Sequence, residues 1–301
     1  MGREIRKRLE KTCSDLTRKQ KAPHPWGFLL EKWWLDLSVL KLISWNIAGR
    51  LSAVNQQIDY LLDGNFDIIC LQEVISKSQD IITNRLKNFD YNYLSPVSIT
   101  QLSSTGKHKY NLLILSKAKI NNNKPSYEIN WQEKYVSGIL TYDSKKLEIT
   151  TMHVPPGSSN GIQKIISIEQ FYNNIIASKS KYRIVCGDWN TPRREYDNGE
   201  IETWKKTGAR IGEGERWDNG ERLLLEKLRS IGIRDSYRHL NGYNMQDYSW
   251  YVNTKGGLKG RRYDHIHSSE TINVKACYYD HAVRENKLSD HSAIISEFDI
   301  N

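Results

Sequence analysis

Six short apolar runs in this chain carry polar residues where a buried strand ends or turns. Asn46 interrupts "LISWNIAG", Glu73 follows "DIICLQ", and His153 closes "LEITTMH" ahead of two prolines. Asp188 and Asn190 end "RIVCGDWN", Asp264 lies within "RRYDHIHSS", and Asp290 with His291 opens "SDHSAI". Short β-branched and apolar runs bounded by Gly, Pro and Asn read as strands buried on both faces. A carboxylate at the end of such a strand must be paired or hold a cation, because an isolated charge in an apolar medium is very costly. Alone, "GDWN" reads as a strand-end turn, since Gly, Asp and Asn favour turns by themselves. Repetition over six segments instead implies one shared site, and a fold that brings six strand ends together. In "GDWN" residues i and i+2 of an extended chain face one way, so Asp188 and Asn190 point into the same place.

The rest of the chain supports an alternation of strands with helices. "SAVNQQIDYLLD" places Val54, Ile58, Leu61 and Leu62 at helical spacing, and a second helix is expected near residues 161–177. "VSGILTY" and "KLEITTMHV" are joined across "DSKK" as a hairpin. "ERLLLEKLRSIG" reads as a helix, while residues 192–220 are polar and Gly-rich and read as a long functional loop. The expected organisation is a basic appendage over residues 1–40 and one mixed α/β domain over residues 41–301.

Composition narrows the class. Of 301 residues, 38% are hydrophobic and 26% charged, as in a soluble globular protein. No stretch approaches the ~18 uncharged apolar residues of a membrane helix. The first residues have charge but no apolar core of a secretory signal, so a cytoplasmic, non-membrane and monomeric protein is expected. The four cysteines are far apart and form no zinc spacing. The net charge of +9 suggests a polyanionic partner, nucleic acid being the commonest. Residues 1–22 alone hold eight Lys and Arg against three acids.

Glu73, Asp290 and Asn46 offer hard oxygen ligands, which suit Mg²⁺ or Mn²⁺ better than zinc. Such an ion polarises a phosphoryl oxygen and stabilises a departing alkoxide. Two histidines, one oriented by a carboxylate, would neutralise charge developing on the phosphate. The chemistry that uses all of these groups is hydrolysis of a phosphate ester.

In order and distance, "LISWNI", "DIICLQEV", "GDWN" and "SDHSAI" resemble the endonuclease/exonuclease/phosphatase superfamily, also called DNase I-like. The likeness runs from about Lys41 to Phe298. It implies a four-layered α/β/β/α sandwich of two mixed sheets with the active site at one edge. It implies Glu73 as the main metal ligand with Asn46 and Asp290 nearby. Asp188 would orient or deprotonate the attacking water, and Asn190 would hold the phosphate or assist a second ion. His291, held by Asp264, would contact the scissile phosphate, and His153 would meet it from the other side. Two points stay open: whether Asp188 or His291 takes the water's proton, and whether one ion acts or two.

Endonucleases of the exonuclease III type usually carry Tyr where this chain has His153. "YSWYVNTKGGLKGRRYDH" resembles their abasic-pocket region, yet Arg261 stands near the place of a pocket aromatic, which suits an anionic substrate. No apolar hairpin for membrane insertion is present in the sequence. The resemblance thus implies a metal-dependent nuclease. The alternative is a phosphatase or phosphodiesterase acting on a small phosphorylated molecule or phosphoinositide.

Deleting residues 1–22 should weaken binding to nucleic acid and flatten its dependence on salt, because fewer counterions are released. Binding isotherms over a salt series measure this. An unchanged slope would make the segment a bystander.

Overall fold

The computed structural model describes residues 39–103, 106, 108–204 and 213–300. The basic N-terminal segment, Lys205 and Lys206 lie outside the described residues. In chain order the first half contains β1 (Val39–Asn46), α1 (Val54–Asp63), β2 (Ile68–Val74), α2 (Ser76–Lys87), β3 (Asn92–Leu94) and β4 (Asn111–Ser116). It continues through β5 (Ile120–Asn122), β6 (Tyr135–Tyr142), β7 (Lys145–His153), α3 (Gly157–Asn160) and α4 (Gln163–Ala177). The second half begins with β8 (Tyr182–Asp188), β9 (Arg194–Glu195), β10 (Ile201–Glu202), α5 (Glu213–Leu225), β11 (Ile233–Asp235) and α6 (Ser236–Asn241). It ends with β12 (Trp250–Thr254), β13 (Gly257–Arg261), β14 (Asp264–Ser269), β15 (Asn273–Asp280), α7 (Ala282–Glu285) and β16 (Ala293–Asp299).

Two six-stranded mixed sheets stack face to face. One has the order β15-β16-β1-β2-β4-β3, the other β11-β14-β8-β7-β6-β5. In the first, β1 and β2 are parallel, and in the second β7 and β8 are parallel. Strands alternate their side chains across the sheet, and here both sides are apolar. Leu42, Cys70, Ile114, Ile149, Ile184 and Cys186 meet in the layer between the sheets. Their neighbours Ile43, Ile69, Leu71 and Leu113 face outward and pack with Val54, Ile58 and Leu61 of α1 and Ile82 and Leu86 of α2. On the other sheet Val185 and Met152 face Ile165, Ile168 and Phe171 of α4 and Trp217 and Leu224 of α5. Burial on both faces explains the unbroken apolar runs, and the layering is the expected α/β/β/α sandwich.

The β6–β7 hairpin turns at Asp143 and Ser144, whose φ angles are 46° and 63°. Two left-handed residues in a two-residue loop match the twist of the flanking strands. One expectation fails. The supposed loop of residues 192–220 contains the β9–β10 hairpin and, from Glu213, the first two turns of α5. Glycine obscured that helix. A Cβ on Gly220 would lie 2.6 Å from Ile165, so the glycine admits α4 closely rather than breaking α5.

The strand register sets the site. His153 stands beside Asp188 across β7–β8, and Asp188 beside Asp264 across β8–β14. Between them Gly187 has φ 133°, and a Cβ there would fall 1.9 Å from the carbonyl oxygen of Met152. Gly187→Ala should therefore lower the melting temperature, with a cost of about 2 kcal/mol or more. Thermal unfolding measures it, and an unshifted transition would show that the strands tolerate a side chain at the crossing.

Candidate active site

Asn46 ends β1, Glu73 lies near the end of β2, and both face the edge where β7, β8 and β14 present His153, Asp188 and Asp264. Ala48, Glu73 and Asn190 have φ angles of 56°, 57° and 51°, a left-handed backbone that side chains rarely adopt. Strain of this kind collects at functional sites. At Glu73 it accompanies a shift of β2–β4 register between Leu71 and Val74, which turns the carboxylate toward the edge.

Asn46 holds the two sheets together at this edge. Its Nδ2 donates to Asp188 Oδ2 at 2.9 Å and to Glu73 Oε1 at 3.2 Å. Its Oδ1 accepts from the Ala48 amide at 2.9 Å. The backbone amide of Asn190 donates to Asp188 Oδ1 at 2.9 Å, and the Asn190 side chain donates to the Val154 carbonyl at 2.9 Å. Gln72 lies behind, its Nε2 donating to Ser44 in its own sheet and Thr151 in the facing one.

Two histidines flank Asp188 under opposite influences. His291 Nδ1 is 2.8 Å from Asp264 Oδ2, and its Nε2 is 3.9 Å from Asp188 Oδ2. Burial alone would lower the His291 pKa, but the charge and hydrogen bond of Asp264, with Asp188 and Asp290, carry it up to about 10. His153 Nδ1 is instead 3.1 Å from Lys134 Nζ, and its Nε2 is 3.7 Å from Glu73 Oε1 and 3.8 Å from Asp188 Oδ2. Burial first, then Lys134 and His291, hold His153 well below the ordinary imidazole range. Lys134 itself is lowered by burial to about 8, against the pull of Glu73, Glu133 and Asp188. Burial and the nearby Asp264 raise Asp188 to about 7, although His291, Asn46 and the Asn190 amide oppose the shift.

Glu73, Asp188 and Asp264 thus share an edge with two cations, Lys134 and His291. With Asp188 ionised the surplus is negative, and the donors are mostly hard oxygens. Glu73, His153 and Asp188 form one group whose donor atoms lie within 4.8 Å of each other, and Asp188, Asp264 and His291 form another. These residues suit a divalent cation. A cleft of about 170 Å³ opens beside Glu73 and His153, walled by Tyr110, Trp131, Lys134 and Asn160.

Seven of the eight residues expected from the sequence meet here, Asn190 through its backbone amide. Asp290 stands apart. It is exposed, accepts from Trp250 Nε1 at 3.3 Å, and belongs to none of the ligand groups among the described residues. The reason is local. The Ser289 hydroxyl donates to the Asn46 carbonyl and accepts from the His291 amide, which turns His291 inward and its neighbour outward. Asn46 presents nitrogen, not oxygen, to both carboxylates, so as placed it supports their positions. Lys134 was invisible in the sequence, where "WQEKY" reads as a solvated turn.

A third group, half-buried Asp235 with buried His265 and His267, lies behind the site. Its carboxylate already accepts from Arg262 and from the Arg238 amide, and His265 stacks on Trp189 at 4.5 Å. That arrangement braces the "GDWN" turn from behind.

Residues 43–291 match the Endonuclease/Exonuclease/phosphatase family, and the chain belongs to it. It is 26% identical over 230 residues to a DNA-(apurinic or apyrimidinic site) endonuclease of Dictyostelium discoideum, covering 72% of this chain. That match spans 58% of the relative, under two thirds of its length. It is 25% identical to exodeoxyribonuclease III of Haemophilus influenzae, over 86% of this chain and 100% of that one. Among solved structures, an AP endonuclease from Archaeoglobus fulgidus superposes with a TM-score of 0.63 at 19% identity, covering 86% of this chain and 99% of the other. Family and clusters together define a hydrolase of phosphate-ester bonds.

Asp264→Asn should move the basic limb of the pH–rate profile down by about one unit or more, because the charge that keeps His291 protonated is gone. Metal affinity should change little. A limb left in place would mean that Asp264 only caps a turn.

Proposed function

We propose that the protein is a Mg²⁺- or Mn²⁺-dependent nuclease that hydrolyses phosphodiesters of DNA or RNA. The observation that carries this reading is the convergence of Glu73 and Asp188 with two differently charged histidines on one edge of the sandwich. Glu73 and Asp188 would hold the ion, with Asn46 fixing both carboxylates by its amide. When bound, the ion would supply Lewis-acid stabilisation of charge on the phosphate and leaving oxygen.

The remaining work falls to this chain's own groups. Asp188 orients the attacking water, its own direction fixed by Asn46 and the Asn190 amide. His291, held cationic by Asp264, donates from Nε2 to a phosphate oxygen as negative charge grows there. His153 contributes a buried Nε2 that has no hydrogen-bond partner and faces the same space. A nucleic-acid substrate is supported by the net charge of +9 and by the named activities of the relatives. It is supported also by the β12–β13 hairpin, which carries exposed Lys255 and Lys259 and starts at Trp250 beside His291.

A second reading has its own observation. Arg261 ends that hairpin over the Trp204 ring, 5.4 Å from its centroid, and a guanidinium there suits a small anionic phosphoester. Plasmid, abasic oligonucleotide and RNA, assayed with Mg²⁺ beside a panel of phosphomonoesters, separate the two. Cleavage should stop in EDTA, and Glu73→Ala should reduce kcat by about a thousandfold or more. Full activity in EDTA would sink the mechanism, and turnover of phosphomonoesters alone would select the second reading.

A further inference from the structure

We propose that Lys134 is a positioning residue that fixes His153 as the Nε2-protonated tautomer, committing the ring to donate into the cleft rather than to ligate a cation. The role assigned to that donation rests on the phosphoester reading above; the tautomer does not.

Lys134 closes the short turn Gln132–Lys134 that leads into β6. It is buried to 3% exposure, with its ammonium 5.4 Å from the centroid of the Tyr110 ring and 3.1 Å from His153 Nδ1. An ammonium carries three donors and no acceptor. Nδ1 must then accept, and a neutral imidazole that accepts at Nδ1 carries its proton at Nε2. The surroundings of Nε2 agree. The nearest groups are carboxylate oxygens of Glu73 and Asp188, which attract an N–H and repel a lone pair.

The consequence is a division of labour within the Glu73, His153 and Asp188 group. A histidine ligates through an unprotonated nitrogen. With Nδ1 occupied by Lys134 and Nε2 protonated, His153 offers neither. The carboxylates are left to take the cation, and the Nε2 proton is left to meet an anionic oxygen in the cleft. The reverse arrangement, with a neutral Lys134 accepting from Nδ1–H, would make Nε2 a third ligand. One proton on one atom separates the two.

Long-range ¹⁵N–¹H spectra of histidine-labelled protein in EDTA, recorded near neutral pH, read that proton directly. His153→Gln identifies the signals of the ring. The wild type should show a protonated Nε2 and a bare Nδ1. Lys134→Met should abolish this preference and lower kcat about 10- to 100-fold with KM little changed, and Lys134→Arg should restore both. A protonated Nδ1 in the wild type, or a Lys134→Met spectrum identical to it, would overturn the proposal. Because the wild-type reading needs neither a Lys134 variant nor a substrate, it decides the tautomer even if Lys134→Met fails to fold. Inertness toward every phosphoester would instead defeat the functional reading and leave the tautomer standing.

Discussion

One side-chain amide joins the halves of this molecule where its chemistry lies. Asn46 Nδ2 donates to Glu73 in its own sheet and to Asp188 in the facing one. Its backbone carbonyl accepts from Ser289, whose oxygen also receives the His291 amide. The same residue therefore sets the spacing of the two carboxylates and the direction of the loop that carries His291. Apolar contact between sheets is non-directional and would tolerate sliding. A buried amide with defined partners does not, because each lost bond leaves a desolvated polar atom.

Charge placed at one edge needs support from behind it. Buried Glu195 accepts from both Arg262 and Arg238, and Arg262 also reaches Asp235. Burial alone would raise the Glu195 pKa, yet the two guanidiniums hold it down to about 2. On the other flank buried Lys164 pairs with Glu221 and donates to the Asn190 carbonyl at 2.8 Å. Each network neutralises itself, so neither offers the edge a spare cation. Removing one member would strand its partner's charge in the interior, which is costlier than never having built the pair.

The fold was legible in the sequence because burial on both faces leaves continuous apolar runs, and a polar residue inside such a run is conspicuous. That logic singled out Asn46, Glu73, His153, Asp188 and Asp264, which the fold brings to one edge. It failed wherever burial comes from tertiary neighbours. Lys134 sits among Gln132 and Glu133 and looks solvated, yet the strand ends of β7 and the Tyr110 ring enclose it. Asp290 looks equivalent to His291, but adjacent residues in a turn point apart, and Ser289 decides which of them turns inward. Gly220 looks like a loop residue, although its lack of a side chain is what lets two helices touch. In each case the deciding partner lies at least 19 residues away along the chain, and such a partner leaves no mark on local pattern.

The two histidines show how far such partners reach. They belong to one residue type, lie on either side of one carboxylate, and are both buried. Burial pushes both toward the neutral form. Asp264 reverses that push at His291, while Lys134 reinforces it at His153. The edge therefore presents one cationic donor and one neutral one to the same space. A phosphate approaching it meets a charged ring on the His291 side and a neutral ring on the His153 side, with the Lys134 ammonium behind the neutral one. A second imidazolium in place of the neutral ring would set another positive charge beside the Glu73 and Asp188 carboxylates and oppose any cation that they take up.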